Sequence, residues 1–295
     1  MIELIIVFSS CLQTDRQHNE IRTPLREADH SLKMFRSIAD KSPIRLPLPS
    51  IPIMRTKNLL FFTLVLTTCV QFSNAQLSRQ VEGYTESHFK SLRYGLFKPP
   101  GYDPKKSYPL IVYLHGSTDT VSRNLSWYHR DVQMKNPAFV LTPKCEVADQ
   151  GWGNTWQTGH TLATSRTLKL VDSVMNVYNI DQNRLYLYGV SMGGFGVFSI
   201  LAKEKGKFAA AYSVCGGSDP NAASDLLGTP LWIFHGEADD IVPVNLSRDV
   251  YKEIIKLGGK KVRYTEYPGV KHNSWENVSR ETSLESWLFS HHKDK

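Results

Sequence analysis

From Gln76 onward, short apolar runs alternate with longer stretches in which apolar residues recur every three to four positions. The short runs are "LRYGLF", "SYPLIVYLHG" ending near His115, "AFVLTP", "RLYLYG", "FAAAYSVCG", "PLWIFHG" and "VRYTEYPG". Each is rich in β-branched or aromatic residues and is bounded by Gly, Pro or Asp, the signature of buried strands. Between them, "TSRTLKLVDSVMNVY" brings Leu168, Val171, Val174, Met175 and Tyr178 onto one helical face, and "SRDVYKEIIKL" repeats that period. Alternating strands and helices predict an α/β fold: a mostly parallel sheet with right-handed crossovers and helices on both faces. Such sheets present their chemistry beyond the carboxyl ends of the strands.

The N-terminal quarter follows a different rule. "MRTKNLLFFTLVLTTCVQFSNAQ" has the three parts of a secretory signal: basic Arg55 and Lys57, an apolar run from Leu59 to Val70, and "SNA" before Gln76. The apolar run is shorter than the roughly 20 residues that span a bilayer, so no stable membrane anchor is expected. Residues 54–75 are therefore expected to be a signal peptide, with Met54 as initiator and residues 1–53 an upstream extension, disordered or untranslated. This leaves 76–295 as one catalytic-size domain, secreted or periplasmic.

Charge changes the picture little. Residues 1–75 hold 9 of the 35 Lys+Arg and 6 of the 28 Asp+Glu, so the remainder carries a mild +4. Its basic clusters, "KEKGK" and "KLGGKKVR", are short, and no nucleic-acid partner is expected. There is no H-E-x-x-H and no clustered Cys/His spacing, so neither a metal nor an organic cofactor is implied. Asn124, Asn245 and Asn277 each open an N-x-S sequon and are expected in exposed loops.

Chemistry concentrates where strands end. "GVSMG" places Ser191 between Gly189 and Gly193, directly after "RLYLYG" and before the apolar helical stretch "FGVFSILAKE". A serine at a tight strand-to-helix bend exposes its hydroxyl above the sheet, and a side chain at either flanking glycine would collide with the facing backbone. Serine attacks only with a base to take its proton and a carboxylate to orient that base. In chain order Ser, acid, His, the base is His272, in "PGVKHNSW" after the last strand, since His291 and His292 lie in a polar tail. The acid comes from "HGEADDIVP", where Glu237, Asp239 and Asp240 remain open on chemistry alone. Oxyanion donors are expected from the N–H of Met192 and, through the fold-back at Gly116, from that of Ser117 or Thr118. "DQGWGNTWQTGH" adds Trp152, Trp156 and His160, and Trp275 lies three residues past His272; Trp156 and Trp275 are the candidate substrate-binding faces.

With "LHGS", "YGVSMGG", "HGEADDIVP" and "PGVKHNSW" in this order, the chain resembles the α/β-hydrolase superfamily over nearly all of residues 76–295. Within it, the chain is similar to secreted esterases of the dienelactone-hydrolase, phospholipase/carboxylesterase and feruloyl-esterase-like groups, some labelled prolyl-oligopeptidase-type hydrolases. The H-G-x-x-D-x-x-V-P pattern of that group falls on His235, Gly236, Asp239, Val242 and Pro243, and the resemblance thus selects Asp239 as the acid. Ser191 excludes a cysteine nucleophile. The superfamily's sheet order implies that Cys145 and Cys215 sit about 14 Å apart, three strands at roughly 4.8 Å each, and stay unpaired. Only "CGGSDPNAASDLLGT" separates Val214 from Pro230, leaving no room for a large cap domain. Two stretches depart from the group's pattern, "TDT" after "HGS" and "TPKCEVADQ".

These readings converge on a serine hydrolase of the carboxylic-ester type, with a small-molecule or polysaccharide-linked ester as partner. A small serine peptidase and a catalytically idle hydrolase-fold binding protein are the alternatives.

Overall fold

The computed structural model describes residues 82–117, 125–145 and 151–293. The expected extension and signal peptide (1–53 and 54–75) and Thr118 lie outside the described residues. Among the described residues eight strands form a single sheet: β1 (Tyr84–Phe89), β2 (Leu92–Phe97), β3 (Tyr108–Leu114), β4 (Phe139–Pro143), β5 (Ile180–Val190), β6 (Ala210–Val214), β7 (Leu231–Gly236) and β8 (Val262–Tyr267). Their spatial order is β1-β2-β4-β3-β5-β6-β7-β8, with β1 and β2 antiparallel and β3 to β8 parallel. The helices are α1 (Arg130–Lys135), α2 (Leu162–Val177), α3 (Met192–Lys203), α4 (Asn245–Lys256), α5 (Trp275–Val278) and α6 (Leu284–Phe289).

The period-2 alternation of the central strands divides the core. On β3, Leu110, Val112 and Leu114 face one layer with α2, α3 and α4, while Ile111 and Tyr113 face the other with α5 and α6. In that second layer Tyr113, Tyr188 and Tyr212 stack across three adjacent strands, with ring centroids 4.7 and 4.6 Å apart. The Trp127 indole N–H donates to the Tyr212 hydroxyl at 3.0 Å, so the buried phenol is satisfied.

Seven strands match the apolar runs of the sequence. β1 was not expected: its middle four residues are exposed, and it is held to β2 by backbone pairing from Tyr84↔Phe97 to Phe89↔Leu92. On α2, Leu168, Val171 and Val174 are buried and Met175 and Tyr178 pack against the same core, as the period required. Between β6 and β7 there is only a 3-10 turn, Pro220–Leu226, and no cap domain. Cys215 is a free thiol, and Cys145, just past β4, is separated from it by β3 and β5 in the sheet order. Two sequons are corrected: Asn245 is the first residue of α4 and Asn277 lies within α5, not in loops, while Asn124 is outside the described residues. Among the described residues, no helix is long and apolar enough to cross a membrane.

Candidate active site

Ser191 stands between the end of β5 and the first turn of α3 with φ 54° and ψ −116°, a backbone conformation that L-residues seldom occupy. Its amide donates to the Val214 carbonyl at 2.9 Å and its carbonyl accepts from Phe195 N–H at 3.1 Å, so the strained bend is pinned on both sides. The flanking glycines are obligatory for contact reasons. A Cβ on Gly189 would strike the Gly193 carbonyl, and one on Gly193 would strike the Leu114 carbonyl at the end of β3. The sharp turn and the close β3–α3 approach thus have one cause.

The ring of His272 reaches this hydroxyl from the loop after β8. His272 Nε2 lies 2.9 Å from Ser191 Oγ, and His272 Nδ1 lies 2.8 Å from Asp239 Oδ2 and 3.1 Å from Oδ1. Because a carboxylate can only accept here, Nδ1 carries the ring proton and Nε2 turns its lone pair to the serine hydroxyl. The Asp239 side chain is fully shielded from solvent, and the His272 side chain is 18% exposed. Asp239 Oδ1 also accepts from the Ile241 and Val242 amides at 2.9 and 2.8 Å.

Geometry separates the three carboxylates that chemistry alone left open. Glu237 Oε2 accepts from Gly269 N–H at 3.0 Å, and Asp240 pairs with Lys271 Nζ at 3.0 Å on the exposed surface. Together with the Ala238 N–H to Val270 carbonyl bond (3.0 Å), these contacts sew the loop after β7 to the loop that carries His272. Asp239 is the one of the three that meets the imidazole.

Beneath Asp239 lies a histidine that the sequence marked only as a motif position. His235, with no solvent exposure, sets Nε2 3.0 Å from the Val242 carbonyl and 3.2 Å from Asp239 Oδ2, and Nδ1 2.8 Å from Ser247 Oγ. Burial holds its imidazole below the ordinary range and therefore neutral. Nε2–H then donates to the two acceptors, and the single Ser247 hydroxyl proton is shared between Nδ1 and the Gly216 carbonyl, 3.0 Å from Oγ.

The proposed oxyanion loop is equally constrained. His115 Nε2 accepts from Cys145 N–H (2.9 Å), which leaves the proton on Nδ1, 2.7 Å from the Gly116 carbonyl. The amide of Ser117 belongs to the same trans peptide and points opposite to that carbonyl. A Cβ placed on Gly116 would lie 3.7 Å from Ser191 Cβ, so this peptide abuts the hydroxyl-bearing bend. Met192 N–H opens α3 and, as a first-turn amide, is free of intrahelical bonding.

The aromatic residues divide. Trp156 is 43% exposed and lies 6.2 Å from Phe195, one helical turn beyond Ser191; Trp275 is 41% exposed with its ring edge-on to His272 at 5.7 Å. Trp275 stands at the rim of the relay, and Trp156 lies exposed against the first turn of α3. Trp152 is instead wholly buried, and its indole N–H donates to the His115 carbonyl at 2.9 Å. His160 pairs with Glu204 at 2.7 Å, at the far end of α3 from Ser191. Cys215, just past β6 with φ 42°, is also close to the relay, and burial pushes its thiol up to about 12. It is a neutral S–H at ordinary pH.

A β3-to-β8 parallel core with two antiparallel edge strands, a strained serine after β5, an acid after β7 and a histidine after β8 defines an α/β-hydrolase. The chain belongs to the family whose model is described as "Putative esterase", which matches residues 89–280. It is similar to a bifunctional acetylxylan esterase/xylanase of Neocallimastix patriciarum, 30% identical over 136 residues, covering 45% of this chain and 20% of that protein. A second relative, "Probable feruloyl esterase C" of Aspergillus terreus, is 28% identical over 180 residues, covering 56% of this chain and 62% of that one. Among solved structures, a thermostable esterase superposes with a TM-score of 0.67 at 30% identity, covering 72% of this chain and 64% of that chain. The chain therefore spans less than two thirds of the length of each of these three proteins.

Proposed function

We propose that the protein is a secreted serine hydrolase of carboxylic esters that works through an acyl-enzyme on Ser191. The observation that carries this is the unbroken relay from hydroxyl to imidazole to buried carboxylate, 2.9 and 2.8 Å per step. In this reading His272 Nε2 takes the Ser191 proton as Oγ attacks the ester carbonyl, and Asp239 holds the ring and balances the imidazolium. The N–H groups of Met192 and Ser117 receive the oxyanion, a donor pair each member of which is worth on the order of 100- to 1000-fold in rate. His272 then protonates the departing alkoxide, and water repeats the sequence to release the acid.

Acyl esters of carbohydrate are the substrate class this reading favours. Two relatives are named acetylxylan esterase and feruloyl esterase, and the exposed faces of Trp275 against His272 and of Trp156 against Phe195 on the helix after Ser191 suit sugar rings or aryl acyl groups. Export rests on the signal-like segment 54–75, and N-terminal sequencing of the mature protein checks it: a start at Gln76 supports it, and retention of residues 54–75 refutes it.

The catalytic reading is tested by labelling with a fluorophosphonate. Modification of wild-type protein that is lost in Ser191→Ala is expected; no labelling of well-folded protein favours an idle binder. Rates on p-nitrophenyl acetate, methyl ferulate, acetylated xylan and proline-containing amides then separate esterase from peptidase, and faster turnover of the amides would overturn the ester assignment.

A further inference from the structure

The sulfur of Cys215 was expected only to be unpaired, yet the fold brings it to the proposed catalytic relay. One donor atom each from Cys215, Asp239 and His272 lie within 4.8 Å of one another. Three elements converge to do this: the bend after β6, the loop after β7 and the loop after β8. The thiol is held there by backbone, since Cys215 N–H donates to the Phe234 carbonyl at 2.9 Å and the residue turns at φ 42°. A fourth group adjoins. Ser274 is wholly buried, its hydroxyl has no hydrogen-bond partner of ordinary length, and it sits against the Cys215 thiol.

Thiolate, imidazole and carboxylate are the donor types that zinc selects, and three protein ligands with one open position is a common zinc arrangement. Bonds of about 2.0–2.3 Å at tetrahedral angles set donors roughly 3.3–3.8 Å apart, so the 2.8 Å Asp239–His272 contact must open slightly while the wider separations, within 4.8 Å, close by up to about an ångström. His272 can supply it, being the exposed member of the three and carried on a loop.

We propose that Cys215, Asp239 and His272 form an inhibitory site for Zn2+ or a similar thiophilic divalent cation, with binding and hydrolysis mutually exclusive. The inference rests on the catalytic reading above for its effect on rate, not for the site itself. On binding, the Cys215 S–H bond breaks and the proton leaves to solvent while the sulfur lone pair bonds the metal. The cation replaces the proton shared by His272 Nδ1 and Asp239. That proton moves to Nε2, where the ring now donates to Ser191 Oγ and can no longer accept from it. The ion is thus an antagonist and not a cofactor.

The test uses purified full-length chain stripped with EDTA. Zinc should inhibit p-nitrophenyl acetate hydrolysis reversibly, with EDTA restoring the rate, while calcium and magnesium, which prefer oxygen ligands, should not inhibit. In Cys215→Ser, referenced to that variant's own zinc-free rate, half-inhibition should need about tenfold more zinc or beyond, since even outer-sphere changes cost 10- to 100-fold in metal affinity. Cobalt provides a readout independent of activity. Added to Ser191→Ala protein it should give a near-ultraviolet sulfur-to-cobalt absorption band that vanishes in Ser191→Ala/Cys215→Ala. Equal zinc sensitivity in Cys215→Ser, or the lack of the cobalt band in Ser191→Ala, would overturn the proposal, as would inhibition abolished by His291→Ala/His292→Ala. A protein inactive on every ester that still shows the Cys215-dependent band would instead refute the catalytic reading and leave the site standing.

Discussion

Replacing Asp239 by asparagine asks whether the buried carboxylate sets the tautomer of His272. Oδ1 takes the Ile241 and Val242 amides at 2.9 and 2.8 Å, so an asparagine must keep its carbonyl oxygen at that position. Its NH2 then occupies the place of Oδ2, 2.8 Å from His272 Nδ1. Two donors cannot face each other there, so the ring proton moves to Nε2, opposite Ser191 Oγ, and the base is lost, while His235 Nε2–H gives up the Oδ2 position and keeps its bond to the Val242 carbonyl. Loss of tautomer control in a serine triad lowers kcat by about 10,000-fold, or about 5 kcal/mol at 1.36 kcal/mol per decade. Asp240 is the internal control: its partner Lys271 and it are 68% and 54% exposed, and solvent screens such a pair so that it contributes little. Asp240→Asn should therefore stay within a few-fold of wild type. The assay is kcat and kcat/KM on p-nitrophenyl acetate, with circular dichroism to confirm that both variants fold. Retention of more than a tenth of the wild-type kcat in Asp239→Asn, or an equal loss in Asp240→Asn, would refute the assignment.

Other consequences are as specific. Ser191 holds φ 54°, a strain of roughly 1–3 kcal/mol that glycine relieves and alanine does not, so Ser191→Gly should melt about 2–12 °C above Ser191→Ala by calorimetry. Arg248 grips Glu266 through two contacts of 2.7 and 2.6 Å, and this charge, with the Tyr264 hydroxyl, lowers the Glu266 carboxyl from 4.5 to about 2. Because the folded value is the lower one, the unfolded chain binds the extra proton between pH 4.5 and 2; the stabilisation is full above 4.5 and fades as pH falls through that window. Urea unfolding of wild type and Glu266→Gln should show a gap at pH 7 that closes towards pH 2, and a gap that widens on acidification would contradict the sign. Trp156→Ala should raise KM for methyl ferulate by about 2- to 12-fold, matching 0.5–1.5 kcal/mol of aromatic contact, and raise it less for p-nitrophenyl acetate; an equal rise for both would remove Trp156 from acyl recognition.

What could be read in the chain depended on whether a constraint was local. The bend at Ser191 was legible because Gly189 and Gly193 are demanded by backbone atoms a few residues away or on the adjoining strand, and no other residue fits there. The central parallel strands were legible because segments buried on both faces, such as Tyr108–Leu114 and Leu231–Gly236, read as near-continuous apolar runs. β1 was not legible, because four of its six residues face water and its pairing with β2 is made by backbone atoms that carry no side-chain signature. Trp152 shows the limit from the other side. A tryptophan flanked by loop glycines, as Trp152 is by Gly151 and Gly153, reads alike whether it lines a rim or fills the core, and only the Cβ of Trp152 packed where Gly196 leaves room reveals that it is core. The choice among Glu237, Asp239 and Asp240 lay between these cases: one motif spacing pointed to Asp239, but the physical distinction is which carboxylate is dehydrated and which are spent on Gly269 and Lys271. Cys215 had no local sign at all. Its approach to His272 and Asp239 comes from three strand ends meeting at one edge, and the same convergence that assembles the relay from distant segments delivers whatever else those ends carry. A residue at the end of a parallel strand next to such a site is therefore exposed to its chemistry even when its own neighbours in sequence give no hint of it.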